Sequence, residues 1–294
     1  MDAPDTSLYK SPQAYKVDME YYDAAMKRIP VPYESVFVPT SFGKTHAIVM
    51  GRKGAPSVVL MHGLAANALS MRSMFPALAK DYRIYVPEAV GYSGKSATTR
   101  PPVEDYTKWL MEVLDAFKID KTHMVGISLG AWLSMRIALD MPQRVRSLGL
   151  LSSAGFVPSS KISLIKTIFL VSTSTFPSNS RNNARRFLRL ITSPKWQQDP
   201  EMVEVFYRLL RYYKSPNALP RTLRDEELKK INQPTLLLMG QYDQLFKAAP
   251  VVERARKLLP SLRTSEIVPD VGHLMNIEKP ELVNSLILKF LKDN

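Results

Sequence analysis

The 294-residue chain has no cysteine. Disulfides, thiolate nucleophiles and cysteine-ligated metal centres are therefore excluded. It also lacks a long apolar run. No window reaches the roughly 18 apolar residues of a membrane-spanning helix. The nearest, residues 162–176, is interrupted by Lys166 and a Ser/Thr cluster. The start, Met1-Asp2-Ala3-Pro4-Asp5, has neither a basic region nor an apolar core, so no signal peptide is expected. The expected compartment is the cytoplasm. Acidic residues are in deficit, 27 against 40 Lys/Arg, for a net charge of +13. The excess is uneven, because residues 156–230 hold fourteen Lys/Arg and six Asp/Glu. A balance this basic raises nucleic-acid binding, but a solvated surface or an attraction to anionic substrates accounts for it as well. No nucleic-acid partner is expected.

What is present is an apolar fraction of 45%, ample for one large domain or a domain with an insertion. Residues 12–28 read as a helix. Residues 35–39 and 46–50 alternate like two antiparallel strands around the turn at Phe42-Gly43-Lys44. From residue 58 the pattern changes to short apolar strands (58–61, 82–86, 123–125, 145–151) alternating with helical stretches (70–80, 103–118, 130–140). Such alternation predicts βαβ units and a mostly parallel sheet covered by helices on both faces, an α/β fold. It fails over residues 156–230, which are helical by pattern, arginine-rich and punctuated by prolines. It resumes with strands at 235–239 and 265–268 and helices at 251–259 and 282–291. The organisation expected is a core of residues 1–155 and 231–294 carrying a helical cap, or lid, at 156–230. That cap would sit over the carboxyl ends of the strands, where ligands bind in such sheets.

The most informative segment is Gly126-Ile127-Ser128-Leu129-Gly130, which lies between an apolar strand and a helical pattern. Strand, G-x-S-x-G and helix in that order is the setting of a nucleophile elbow. The alternative is a serine that caps the helix. A nucleophilic Ser128 needs a base, and four histidines are available. His46 lies in an early strand, and His123 opens the strand that leads to Ser128, at its wrong end. His62 follows the strand at 58–61. His273, in Asp270-Val271-Gly272-His273-Leu274, follows the last strand and emerges at the same sheet edge as Ser128. His273 is the candidate base. Asp243 ends the strand and turn at 235–243 and is the candidate acid that holds the imidazole. Its alternative is a turn or cap role. The backbone N–H groups of Leu129 and of Leu64, in the loop His62-Gly63-Leu64, are the expected oxyanion donors. His62 would then orient that loop. A near-match to a phosphate-binding loop at residues 89–96 is set aside, because Ala89 replaces the first glycine and no helix begins at Lys95.

Taken together, His62-Gly63, the loop Gly91-Tyr92-Ser93-Gly94-Lys95-Ser96, Gly126-Ile127-Ser128-Leu129-Gly130, Gly240-Gln241-Tyr242-Asp243 and Gly272-His273 resemble the α/β-hydrolase superfamily in order and spacing. The resemblance runs from about residue 35 to 292 and is weakest in the cap. Phe42-Gly43-Lys44-Thr45-His46, Asp105-Tyr106 with Trp109-Leu110, and Asp225-Glu226-Glu227-Leu228 look like bacterial carboxylesterases of the naproxen-esterase type. Many relatives carry aspartate where Pro87-Glu88 ends the fourth strand. The longer Glu88 bears on the turn there and leaves the triad untouched. The resemblance implies a serine hydrolase of carboxylic esters that works through an acyl-enzyme and needs no metal or cofactor. The expected partner is a small lipophilic ester. Trp132, Met275, Phe156 and Trp196 are the pocket candidates, with Phe169, Phe176, Phe206 and Tyr207 as further aromatics of the cap. The same triad serves C–C bond hydrolases, lactonases and perhydrolases, and some proteins of this fold act as ligand receptors or signalling partners.

Overall fold

The computed structural model describes residues 5–159, 181–214 and 220–294. Eight strands form one sheet in the order β1-β2-β4-β3-β5-β6-β7-β8. They are β1 (Tyr33–Thr40), β2 (Gly43–Met50), β3 (Ser57–Met61), β4 (Arg83–Pro87), β5 (Thr122–Ile127), β6 (Val145–Leu151), β7 (Thr235–Gly240) and β8 (Leu262–Val268). The β1–β2 and β2–β4 pairings are antiparallel, and the other five are parallel. This is the mostly parallel α/β sheet expected from the alternating pattern.

The central strands are apolar on both faces because both faces are covered. Successive side chains point to opposite sides. Val59 and Met61 of β3, and Leu237 and Met239 of β7, enter one core with the helices Tyr106–Ala116, Leu129–Asp140 and Ala248–Leu258. Val58, Leu60, Leu236 and Leu238 enter the other, with the helices Pro12–Met26 and Pro280–Lys292. The stretch expected as a helix at 70–80 is a 3₁₀ segment, Ala68–Met74, followed by the short helix Phe75–Leu78. Pro76 explains the break. It has no N–H to donate back into the preceding turn, so a continuous helix cannot run through it. Strand β8 starts three residues earlier than its sequence pattern suggested. As an edge strand it exposes much of its length, which weakens the apolar signal.

Between β6 and β7 the chain leaves the sheet. The helices Arg181–Ile191 and Pro200–Tyr212 pack on each other through Ala184, Leu188, Met202, Val203 and Leu210. The N-terminal segment clasps the second of them. The Lys10 N–H donates to the Tyr212 carbonyl at 2.9 Å, and the Lys214 N–H donates to the Leu8 carbonyl at 2.8 Å. The N-terminal helix begins at Pro12, capped by Ser11 Oγ, which accepts the Ala14 N–H at 3.1 Å. Asp18 on this helix pairs with Arg208 at 3.1 Å. Glu201 takes both Arg28 at 2.8 Å and Arg72 at 2.6 Å.

His123 sits at the amino edge of the sheet, where its ring Nδ1 meets Ser147 Oγ at 2.7 Å. Burial, with Arg146 nearby, pushes its pKa down to about 4. The folded protein thus keeps the ring neutral while the unfolded chain takes up a proton near pH 6.5. The contribution is full above about 6.5 and falls as pH drops toward 4. Urea unfolding at pH 5 and pH 7 should show stability rising with pH by about 2 kcal/mol in total from this group, most of it below pH 6.5, and His123→Gln should remove that rise.

Candidate active site

Ser128 stands between the end of β5 and the helix Leu129–Asp140, with φ 56° and ψ −113°. A side-chain-bearing residue in that region is strained by about 1–3 kcal/mol. The turn is held because the Ser128 N–H donates to the Leu151 carbonyl at 2.9 Å and the Trp132 N–H donates to the Ser128 carbonyl at 3.1 Å. The flanking glycines are required by proximity. A Cβ on Gly130 would lie 2.1 Å from the Met61 carbonyl oxygen, and one on Gly126 would lie 2.3 Å from the Gly130 carbonyl carbon. The side chain of Ser128 makes no capping hydrogen bond to its helix, so the cap role is not taken. Ser128 is half-buried at the carboxyl edge of the sheet.

The other two strand ends deliver their residues to that edge. The His273 Nδ1–H donates to Asp243 Oδ2 at 2.8 Å, and both side chains are buried. The second oxygen of Asp243 accepts the N–H groups of Leu245 at 2.8 Å and Phe246 at 3.0 Å. The carboxylate is thereby oriented with one oxygen on the ring. A Cβ on Gly240 would lie 2.0 Å from the Gly272 carbonyl oxygen, so only glycine lets the two loops meet. With Nδ1 committed to Asp243, the free ring position of His273 is Nε2.

The loop after β3 passes beside Ser128. A Cβ on Gly63 would sit 3.7 Å from Ser128 Cβ. Neither the Leu64 nor the Leu129 N–H has a hydrogen-bond acceptor among the described residues. His62 holds this loop. Its Nε2 accepts the Ala89 N–H at 3.0 Å, which places the proton on Nδ1, and Nδ1–H donates to the Gly63 carbonyl at 2.9 Å. Burial lowers the pKa of His62 and keeps it neutral.

The family profile described as the alpha/beta hydrolase fold matches residues 56–280. The chain belongs to that family. It is 28% identical over 279 residues to carboxylesterase YbfK of Bacillus subtilis, covering 92% of each chain. The crystal structure of that esterase superposes with a TM-score of 0.84 over 96% of this chain and 99% of the other, at 27% identity. The naproxen esterase of the same organism superposes at 0.83 over 99% and 100% of the two chains, at 26% identity.

Set against other members of the hydrolase family, Glu88 is the departure the sequence pointed to, and its surroundings were not legible there. The carboxylate is fully buried. It accepts the Tyr22 hydroxyl at 2.5 Å, the His46 Nδ1–H at 3.1 Å and the Lys95 N–H at 2.7 Å. Burial pushes its pKa up, but these partners outweigh it and hold the carboxyl below the usual range. The loop that mimicked a phosphate cradle therefore turns an N–H onto Glu88. Tyr22 comes from the N-terminal helix, whose spacing in the sequence gave no sign that it would meet Glu88.

Among the pocket candidates, Trp132, Phe156 and Met275 are packed in the interior, at most 1% exposed. The Trp132 indole N–H donates to the Arg221 carbonyl at 2.9 Å, which ties the insertion to the elbow helix. Trp196 is half-buried against the small core of the two inserted helices, with Phe206 and Tyr207 beside it. Phe169 and Phe176 lie outside the described residues. Part of the basic excess of the insertion is held in ion pairs, Arg181 with Glu204 at 2.8 Å and Arg221 with Glu227 at 2.6 Å.

Two outcomes follow from these contacts. Gly130→Ala drives a Cβ into the Met61 carbonyl and should cost about 3 kcal/mol or more, read as a fall in the urea midpoint. His62→Phe frees the Gly63 carbonyl and orphans the Ala89 N–H. It should lower kcat about tenfold or more with little change in KM in a steady-state esterase assay.

Proposed function

We propose that the protein is a serine hydrolase of carboxylic esters, with Ser128 as nucleophile, His273 as base and Asp243 as its partner. The observation that carries this reading is the His273–Asp243 hydrogen bond at the sheet edge where the strained Ser128 stands. The likeness to proteins named carboxylesterases supports it.

Nε2 of His273 takes the proton of the Ser128 hydroxyl as the oxygen attacks the ester carbonyl. Asp243 keeps the ring in the Nδ1–H tautomer and stabilises the imidazolium that forms. The Leu64 and Leu129 N–H groups face the developing oxyanion, each worth about 3 kcal/mol in comparable sites. The imidazolium then gives its proton to the leaving alcohol. Water attacks the acyl-enzyme with His273 again as base, and Ser128 is released. The hydroxyl of Ser128 has no hydrogen bond to a described residue, as is common before substrate tightens such contacts. Half-buried Leu64, Leu245 and Leu274 flank the catalytic loops and favour a lipophilic ester. The insertion, residues 156–230, serves as the cap over this edge.

Hydrolysis of p-nitrophenyl esters of increasing acyl length should be rapid in the wild type and fall by about 10⁴-fold or more in Ser128→Ala. Activity surviving in Ser128→Ala would overturn the nucleophile. Negligible turnover in both proteins would overturn the ester reading and direct attention to C–C bonds, lactones and peracids.

A further inference from the structure

We propose that Glu278 is a positioning residue whose half-buried carboxylate fastens the chain leaving the inserted helix Arg181–Ile191 to the loop that carries His273, and thereby sets where the imidazole stands. This rests on the assignment of His273 as the base.

Glu278 closes the short helix Met275–Glu278. Its two oxygens each accept the Gly272 N–H at 3.0 Å, and Oε2 also accepts the Ser193 N–H at 2.6 Å. Gly272 and Ser193 come from segments about 80 residues apart, one preceding His273 and the other just beyond the inserted helix. A third bond joins the same two segments directly, since the His273 N–H donates to the Ile191 carbonyl at 2.6 Å. The contact is close enough that a Cβ on Gly272 would lie 2.6 Å from the Ile191 carbonyl oxygen. The turn is anchored from the other side as well, where the Asn276 side-chain N–H donates to the Ser70 carbonyl at 3.0 Å.

A carboxylate is an acceptor only, so it can bind two chain segments at once if both present N–H groups. Glu278 has no ion pair among the described residues. Burial raises its pKa, opposed by the N–H groups of Ser193, Gly272 and Leu274 and by the nearby His273. A carboxylate withdrawn this far from water without a cation is costly, and hydrogen bonds from the two segments offset that cost. The consequence reaches the chemistry through the backbone. Asp243 fixes the tautomer of the ring but not the place of its Cα. That place depends on residues 272–273, whose N–H groups are held by Glu278 and Ile191. A base displaced by about 1 Å loses on the order of 100-fold in rate.

The test is a double-mutant cycle on a p-nitrophenyl ester. Glu278→Ala should lower kcat about 10- to 100-fold, with KM within about threefold of the wild type. Glu278→Gln keeps a carbonyl oxygen for the two N–H groups and should recover most of the loss. In the His273→Ala background, Glu278→Ala should have no further effect, because the residue acts through the imidazole. Should Glu278→Ala not fold, Glu278→Asp replaces it. That change keeps the charge but shortens the reach by one methylene, and the same loss is expected. Losses that multiply in the His273→Ala background overturn the proposal. A change confined to KM overturns it too, as does a Gln variant as poor as Ala. His273→Ala at wild-type activity would instead remove the triad reading, a separate result.

Discussion

The carbonyls of Met61 and His62 lie against the backbone of Gly130, and the rest of the site depends on that contact. It brings the amino end of the elbow helix hard against β3. Three things follow from the one approach. Ser128 is forced into a positive φ, the Leu129 N–H has no acceptor among the described residues, and the loop after β3 comes alongside the serine. Any side chain at Gly130 would push the helix off the strand. The strain at Ser128 is sustained because hydrogen bonds to β6 and within its own helix over-determine the turn.

The second constraint is electrostatic. A sheet covered on both faces leaves little water for polar groups, so each buried one needs partners. The site uses this. His62 and Glu88, both buried, have hydrogen-bonded side chains, and His62 ties the loop that carries Leu64 to the backbone of Ala89, beside Glu88. Glu88 extends the chain of contacts to Tyr22 and so to the N-terminal helix, which also grips the inserted helix Pro200–Tyr212 through Asp18 and Arg208. The described part of the insertion is thus held at one end by the N-terminal segment and at the other by the His273 loop.

Legibility differed by residue for physical reasons. The strands β3, β5, β6 and β7 could be read because full burial imposes unbroken apolar runs. Edge strand β8 could be read only in part because one side faces solvent. Ser128, Asp243 and His273 could be singled out because each follows directly on a strand, so chain order alone puts them at one edge. Trp132, Phe156 and Met275 were expected to line a pocket because they adjoin the catalytic loops or the cap. Adjacency in sequence does not say which way a side chain turns, and these three turn into the core. Glu278 left no signal, since a polar residue that will be partly buried looks the same in sequence as one that stays in water, and His46 and Tyr22 were legible only as a strand and a helix residue, with nothing local to show that both meet Glu88.

The sequence by itself determined the sheet, the strand-turn-helix around Ser128 and the order of the three site residues. These follow from local periodicity and from glycine placement, which act over a few residues. Only the tertiary structure decided which N–H groups hold Glu278, which helix reaches Glu88, and that the His273 loop rests on the inserted segment. The Tyr22–Glu88 and Ser193–Glu278 contacts join residues 66 and 85 positions apart, and such hydrogen bonds depend on a sheet and cores that exclude water.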